Sequence, residues 1–216
     1  MPKVCVLISG CGFLDGAEVH ESVITLLALS RAGADYSVAA PHKKQMHVVN
    51  HHTGNVEEAE SRMVHFEAAR IARGAVSDPS QINVDDFDAL FLPGGFGAAK
   101  NLSNFALEGS NGHIDPDVGA LIRRFHDAKK PIGAVCIAPA ILALALNKGT
   151  LTIGEDEGTA AAINTLGGTH QNCPVTEHVV DTENKLVTAP AYMCDASIAD
   201  VASGIEKAVQ ATLAMC

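Results

Sequence analysis

Short, unbroken apolar runs alternate along the chain with longer stretches in which apolar residues recur every three or four positions. VCVLIS at 4–9 runs into Gly10, the pattern of a strand buried on both faces. A helix is expected from about Ala17 to Ala32, with Val23, Leu26, Leu27 and Ser30 on one side and Gly33 as its stop signal. YSVAA at 36–40 reads as a second strand, closed by Pro41. Residues 41–56 lack periodicity and read as irregular, and Glu57 to Arg73, charged and Ala-rich, reads either as a helix or as a partly ordered loop with a helical end. DALFLPGG at 88–95 is a strand running into a Pro-Gly-Gly turn, Pro116 to Ala128 a helix with Pro in its first turn, and PIGAV at 131–135 the next strand. A helix to about Leu146, two strands around a Glu-Asn turn in VVDTENKLVTA (179–189), and a helix over about Ala196 to Met215 complete the pattern.

Alternation of this kind predicts an α/β three-layer sandwich on a mostly parallel sheet. Ligands in such sheets bind outside the carboxyl ends of the strands. Three loops leave strand ends, at 10–16, 93–101 and 136–140, and are expected to converge.

Composition narrows the function classes. The 216 residues carry a formal net charge of −10, which disfavours nonspecific nucleic-acid binding because that needs Lys and Arg to displace counterions. The longest apolar run, Ala134 to Leu146, is broken by Pro139 and falls short of a membrane span. Six scattered cysteines with no CxxC fit reduced thiols in a cytoplasmic compartment, and MPKVCVLISG reads as a first strand rather than a signal peptide.

Cys136 stands out because it falls at a strand-to-helix turn, with Ala134 two residues before it and Ala138 two after. A nucleophile elbow needs small residues at those places. The following helix points its N-terminus at the sulfur, which predicts a thiolate. Cys11, which also leaves a strand, is the competing nucleophile. In SGCGFLDGAEVHE (9–21) the glycine spacing is GxGxxxG, not the dinucleotide fingerprint GxGxxG. Glu18 in that stretch reads as a complement to the helix dipole, and Glu21 as a carboxylate able to shuttle a proton beside Cys136. In LPGGFGAAKNLSNF (92–105), Gly94 and Gly95 can turn backbone N–H groups toward a ligand and, with the N–H of Ile137, form an oxyanion hole. Lys100 and Asn101 are candidate pocket residues. His47 and His51 have i, i+4 spacing, but no acidic or thiol partner completes a metal set, so no metal is expected. Among the isolated histidines His170 is the candidate partner for Cys136.

LPGGFG and VCIAP resemble the class I glutamine amidotransferase-like superfamily that contains the Parkinsonism-associated deglycase and PfpI-type proteases. SGCGFLDGAEVHE, QMHVVNHHTG, ESRMVHFEAARIARG, LPGGFGAAKNLSNFA, KPIGAVCIAPA and VTAPAYM are together similar to the ElbB-type glyoxalases, which are also described as ES-one-like and linked to isoprenoid biosynthesis. The resemblance implies a flavodoxin-like α/β sandwich over residues 1–216 as one class I glutamine amidotransferase-like domain, a homodimer, Cys136 as nucleophile, Glu21 as its carboxylate, and Gly94, Gly95 and Ile137 as backbone donors. It also implies a cofactor-independent glyoxalase acting on a small aldehyde such as glyoxal. Relatives place a histidine shortly after the elbow helix, where this chain reads LTIGEDE at 151–157. The alternative is a binding or regulatory protein with Cys136 as an oxidation sensor.

Overall fold

The computed structural model describes residues 1–216. Its strands are β1 (Lys3–Leu7), β2 (Asp35–Ala39), β3 (Val49–Asn50), β4 (Asn55–Val56), β5 (Ala89–Leu92), β6 (Ile132–Val135), β7 (Thr150–Leu151), β8 (Thr169–His170), β9 (Val179–Asp181) and β10 (Leu186–Ala189). Its helices are α1 (Val19–Arg31), α2 (Val64–Ala72), α3 (Phe96–Lys100), α4 (Phe105–Glu108), α5 (Pro116–Asp127), α6 (Ala138–Leu146), α7 (Glu157–Thr165) and α8 (Ile198–Leu213). Six strands form the central sheet in the order β2-β1-β5-β6-β10-β9, and every pair is parallel except β10 with β9. This is the expected flavodoxin-like α/β sandwich.

Successive strand side chains point to opposite faces, so each central strand feeds two cores. Cys5, Leu7, Leu90, Leu92, Ile132 and Leu186 pack under α3 to α7, among them Phe125, Ile141 and Ile163. Val4, Val6, Ile8, Phe91, Val135 and Val187 pack under α1, α2 and α8, with Leu29, Val64 and Ile205. Burial on both faces is why these strands read as unbroken apolar runs. The chain leaves β1 for β2 on one side and returns to β5 on the other, so the sheet's topological switch lies between β1 and β5. That crevice is where the loops after β1 and β5 meet the turn after β6.

Several details differ from the sequence reading. Only Leu26 of the expected α1 stripe is buried. Val23 and Leu27 are 49% and 43% exposed, and Ser30 is exposed. The buried side is Glu21, Ser22, Thr25, Ala28 and Leu29, because α1 aims Glu21 at the site and rotates its polar residues inward with it. Residues 41–56 hold a short antiparallel hairpin, β3 with β4. Within 57–73 the alternative of a loop with a helical end holds: the helix begins at Val64, because 62–64 pair along 43–45, through Gln45 N–H to Arg62 O, Val64 N–H to Lys43 O, and the Lys44–Met63 bridge. No helix is long and apolar enough to cross a membrane.

Candidate active site

Cys136 forms the turn between β6 and α6 with φ +61°, a left-handed conformation rare for a residue with a side chain. Such strain persists where surrounding structure over-determines it. Here the Cys136 N–H is held by Ala189 O at 3.0 Å, and Pro139 sits in the first turn of α6. The side chain is nearly enclosed, at 7% exposure. The backbone N–H groups of Gly95 and Ile137 donate to the sulfur.

Glu21 comes from the opposite wall, in the first turn of α1, and is fully buried. Its Oε2 accepts the Gly94 N–H at 3.0 Å, its Oε1 accepts the Tyr192 N–H at 3.1 Å, and it is hydrogen-bonded to the Cys136 thiol. Gly94 makes this apposition possible. A Cβ there would lie 2.3 Å from the Cys136 Cβ and 2.8 Å from Glu21 Oε2. Gly95, at φ +93°, lets its own backbone lie against Gly16 and Glu18, where a Cβ would meet Glu18 N at 2.3 Å. The Glu18 N–H donates to Gly94 O at 3.0 Å and the Gly97 N–H to Gly16 O at 2.8 Å, so the loops after β1 and β5 bond backbone to backbone.

Burial is the largest cause raising the Glu21 pKa, to about 7. The Glu18 charge pushes the same way, and the N–H groups of Tyr192 and Gly94 and the thiol push back. Burial, then the Glu21 charge, holds the Cys136 thiol well above its usual value, against the Gly95 and Ile137 donors. The pair therefore keeps a proton on sulfur, and Glu21 carries the negative charge above about pH 7. This corrects the expected resting thiolate: the N-terminus of α6 contributes, but burial and a carboxylate in contact outweigh it.

The other expected residues have different places. Gly94 directs its N–H at Glu21 rather than at the sulfur. Glu18 caps α1, accepting the Glu21 N–H at 2.7 Å, and also lines the cavity. Asn101 is fully buried away from the cavity and ties loops together, with Nδ2 donating to Ser9 O at 2.9 Å and Asp15 O at 2.8 Å, and Oδ1 accepting the Met46 N–H at 3.0 Å. Lys100 donates to Leu14 O at 2.8 Å. His170 lies on β8 off the cavity wall, where its Nε2 accepts the Ile153 N–H at 3.3 Å and burial lowers its pKa. It does not approach Cys136. His51 packs edge-on to Phe13 and accepts the Leu14 N–H at 3.3 Å. Cys11 is half-buried, and burial raises its pKa.

The cavity over Cys136 measures about 320 Å³, and Phe13, Phe96, Ile137, Tyr192 and Met193 give it a largely apolar wall. Glu18 and Asp156 are the two acids on the wall, and no Lys or Arg lines it. Tyr192 also holds a second position in the site. Its hydroxyl is 2.9 Å from His20 Nδ1, and Ala191 at φ +46° turns the chain so that the Tyr192 N–H reaches Glu21. Neither Tyr192 nor His20 is singled out by sequence. The available signal is adjacency, since His20 precedes Glu21 and Tyr192 lies within VTAPAYM.

A strained cysteine at the strand-to-helix turn, paired with a buried glutamate, agrees with what comparison shows: residues 3–199 match the DJ-1/PfpI family. The chain belongs to that family. It is 42% identical over 220 residues to the rat "ES1 protein homolog, mitochondrial", covering 98% of this chain and 83% of the rat protein. It is also 42% identical to the human "Glutamine amidotransferase-like class 1 domain-containing protein 3, mitochondrial", over 98% of this chain and 82% of the human one. Among solved structures it superposes on an isoprenoid biosynthesis protein with amidotransferase-like domain from Ehrlichia chaffeensis, with a TM-score of 0.94, 38% identity, and 100% and 99% of the two chains covered. Drosophila melanogaster DJ-1beta, at 18% identity and TM-score 0.55 over 99% of this chain and 95% of that one, shares the fold.

Proposed function

We propose that this family member is a cofactor-independent glyoxalase that converts glyoxal, or a similar small 2-oxoaldehyde, to the hydroxy acid. The observation that carries the reading is the direct contact of a protonated Cys136 with a Glu21 carboxylate whose pKa is raised to about 7. As sulfur attacks the aldehyde carbon, the S–C bond forms and the thiol proton passes by Glu21 to the carbonyl oxygen, giving a hemithioacetal. The Gly95 and Ile137 N–H groups face the charge that develops. Glu21 then removes the hydrogen from that carbon and delivers a proton to its neighbour, which leaves a thioester of the hydroxy acid. Water cleaves the S–C bond and returns the thiol. One carbon is oxidised as its neighbour is reduced, so the reaction balances as glyoxal plus water to glycolic acid. A carboxyl group near pH 7 is suited to moving a proton in both directions.

The reading of Cys136 as an oxidation sensor asks for an accessible thiolate. Burial and a raised thiol pKa weigh against that reading, and the catalytic one meets them with Glu21 as a base beside the thiol. A homodimer in the cytoplasm belongs to the same proposal. The exposed Val23 and Leu27 on α1 are apolar surface that a second copy would cover, and light scattering of wild type against Leu27→Glu reads it.

The test is glycolate formation from glyoxal by wild type, Cys136→Ala and Glu21→Gln. Wild type is expected to form glycolate, with both variants reduced by at least about a thousandfold. Glyoxal turnover no faster than in Cys136→Ala sinks the glyoxalase, and Glu21→Gln turnover within about threefold of wild type sinks the role given to Glu21.

A further inference from the structure

Moving a proton between two carbons of a 2-oxoaldehyde needs more than a base. As Glu21 removes the hydrogen next to sulfur, charge develops on the oxygen of the second carbon. Enolising sites place a proton donor against such an oxygen. The Gly95 and Ile137 N–H groups face the sulfur, and in the proposed mechanism they serve the first oxygen. Gly94 and Tyr192 N–H groups are bound to Glu21. The donor for the second oxygen must come from a side chain on the cavity wall.

Besides Cys136 the wall carries two side chains with a donor hydrogen, Thr159 and Tyr192. The Thr159 hydroxyl and amide both bind Asp156, the cap of α7. Tyr192 is differently placed. Its hydroxyl meets His20 Nδ1 at 2.9 Å. With hydrogen on Nδ1 the imidazole donates to the phenol oxygen and the phenol hydrogen is free to turn into the cavity. His20 is exposed and lines an adjoining cavity of about 680 Å³, with Tyr192 standing between the two spaces.

We propose that Tyr192 is a further catalytic residue, the acid that protonates the second oxygen of the bound 2-oxoaldehyde, and that His20 reloads it with protons from solvent. The step balances within the site. The C–H electron pair becomes the C=C bond of an enediol, the carbonyl π pair moves onto oxygen, the phenol proton follows it there, and the Nδ1 proton replaces it on Tyr192 as His20 Nε2 takes up a proton from solvent. Burial, with Glu18 and Glu21 nearby, raises the Tyr192 pKa and keeps the phenol protonated between turnovers. The same tyrosine clamps Glu21 through its main-chain N–H, so base and acid are registered to each other by one residue.

This inference rests on the glyoxalase reading, and one experiment separates them. Turnover of glyoxal and the rate of Cys136 alkylation by iodoacetamide are measured for wild type, Tyr192→Phe and His20→Ala. Tyr192→Phe keeps the ring and the main-chain bond to Glu21. It is expected to lower kcat by about 10²-fold while KM and the alkylation rate stay within about threefold. His20→Ala is expected to lower kcat less, with added imidazole restoring it through the open outer cavity. A wild type that does not act on glyoxal overturns the glyoxalase reading and this inference with it. Wild-type turnover that survives in Tyr192→Phe within about threefold, or an alkylation rate that falls in parallel with kcat, overturns this inference alone.

Discussion

Replacing Glu21 by Gln should change how the stability of the protein depends on pH. Glu21 is fully buried, and its pKa rises from the usual 4.5 to about 7 on folding. The folded state therefore holds this proton more tightly than the unfolded chain does. The stabilisation is fully present below pH 4.5 and is lost as pH rises through about 7. That interval of about 2.5 pH units, at about 1.4 kcal/mol each, corresponds to about 3 kcal/mol. The thiol beside it stays protonated throughout this window, since its own pKa lies well above 9.0. The substituted amide has nearly the same shape and no proton to lose. For a chain of this size, 1 kcal/mol moves Tm by about 2–4 °C. Thermal melts followed by circular dichroism at about pH 4.5 and pH 7.5 give Tm for both proteins. Subtracting the Glu21→Gln value from the wild-type value removes the titration of distant groups. The difference should fall by about 6–12 °C on going to the higher pH. A difference that is constant, or that grows with pH, would refute the argument, because Glu21 would then be stabilised as a carboxylate rather than penalised by burial.

Gly94→Ala should reduce the Cys136 alkylation rate and abolish turnover while costing about 1–3 kcal/mol by urea titration, because the added methyl must displace either the Cys136 Cβ at 2.3 Å or Glu21. Wild-type alkylation in that variant would show that the close approach is not needed. Asn101→Ala should cost about 2–4 kcal/mol by the same titration, since it strands the Ser9 and Asp15 carbonyls and the Met46 N–H in a buried place. A cost below about 1 kcal/mol would mean that these groups find other partners. Cys136→Gly should raise Tm slightly, worth about 1 kcal/mol, by relieving φ +61°.

The sheet was legible in the sequence because its strands are buried on both sides. VCVLIS, DALFL and PIGAV each supply side chains to two cores, so no polar residue interrupts them. Helix faces were harder to read. The buried face of α1 includes Glu21, Ser22 and Thr25, so hydrophobicity points to the wrong side, toward the exposed Val23 and Leu27. Residues 57–63 have helical composition, yet backbone pairing along 43–45 competes successfully with local propensity. Tertiary context decides such segments.

The elbow was legible for a local reason: a strand, a small residue on either side and a helix start fix the position of Cys136 within a few residues of sequence. Its protonation state is not a local property. The helix N-terminus alone favours a thiolate, and that expectation fails because Glu21, 115 positions earlier in the chain, is buried against the sulfur. The groups that hold Glu21 come from still other segments, Gly94 after β5 and Tyr192 after β10. Asn101, read as a pocket residue, lies one step further out and fixes the loop that carries the start of α1. This order of dependence makes chemical sense. A thiol kept protonated at rest resists oxidation and becomes nucleophilic only as its proton moves to Glu21. The carboxylate thereby acquires the proton that the substrate oxygen needs next. Separating nucleophile, base and clamp onto different strand ends lets one rigid sheet hold all three in register, which no contiguous motif could do.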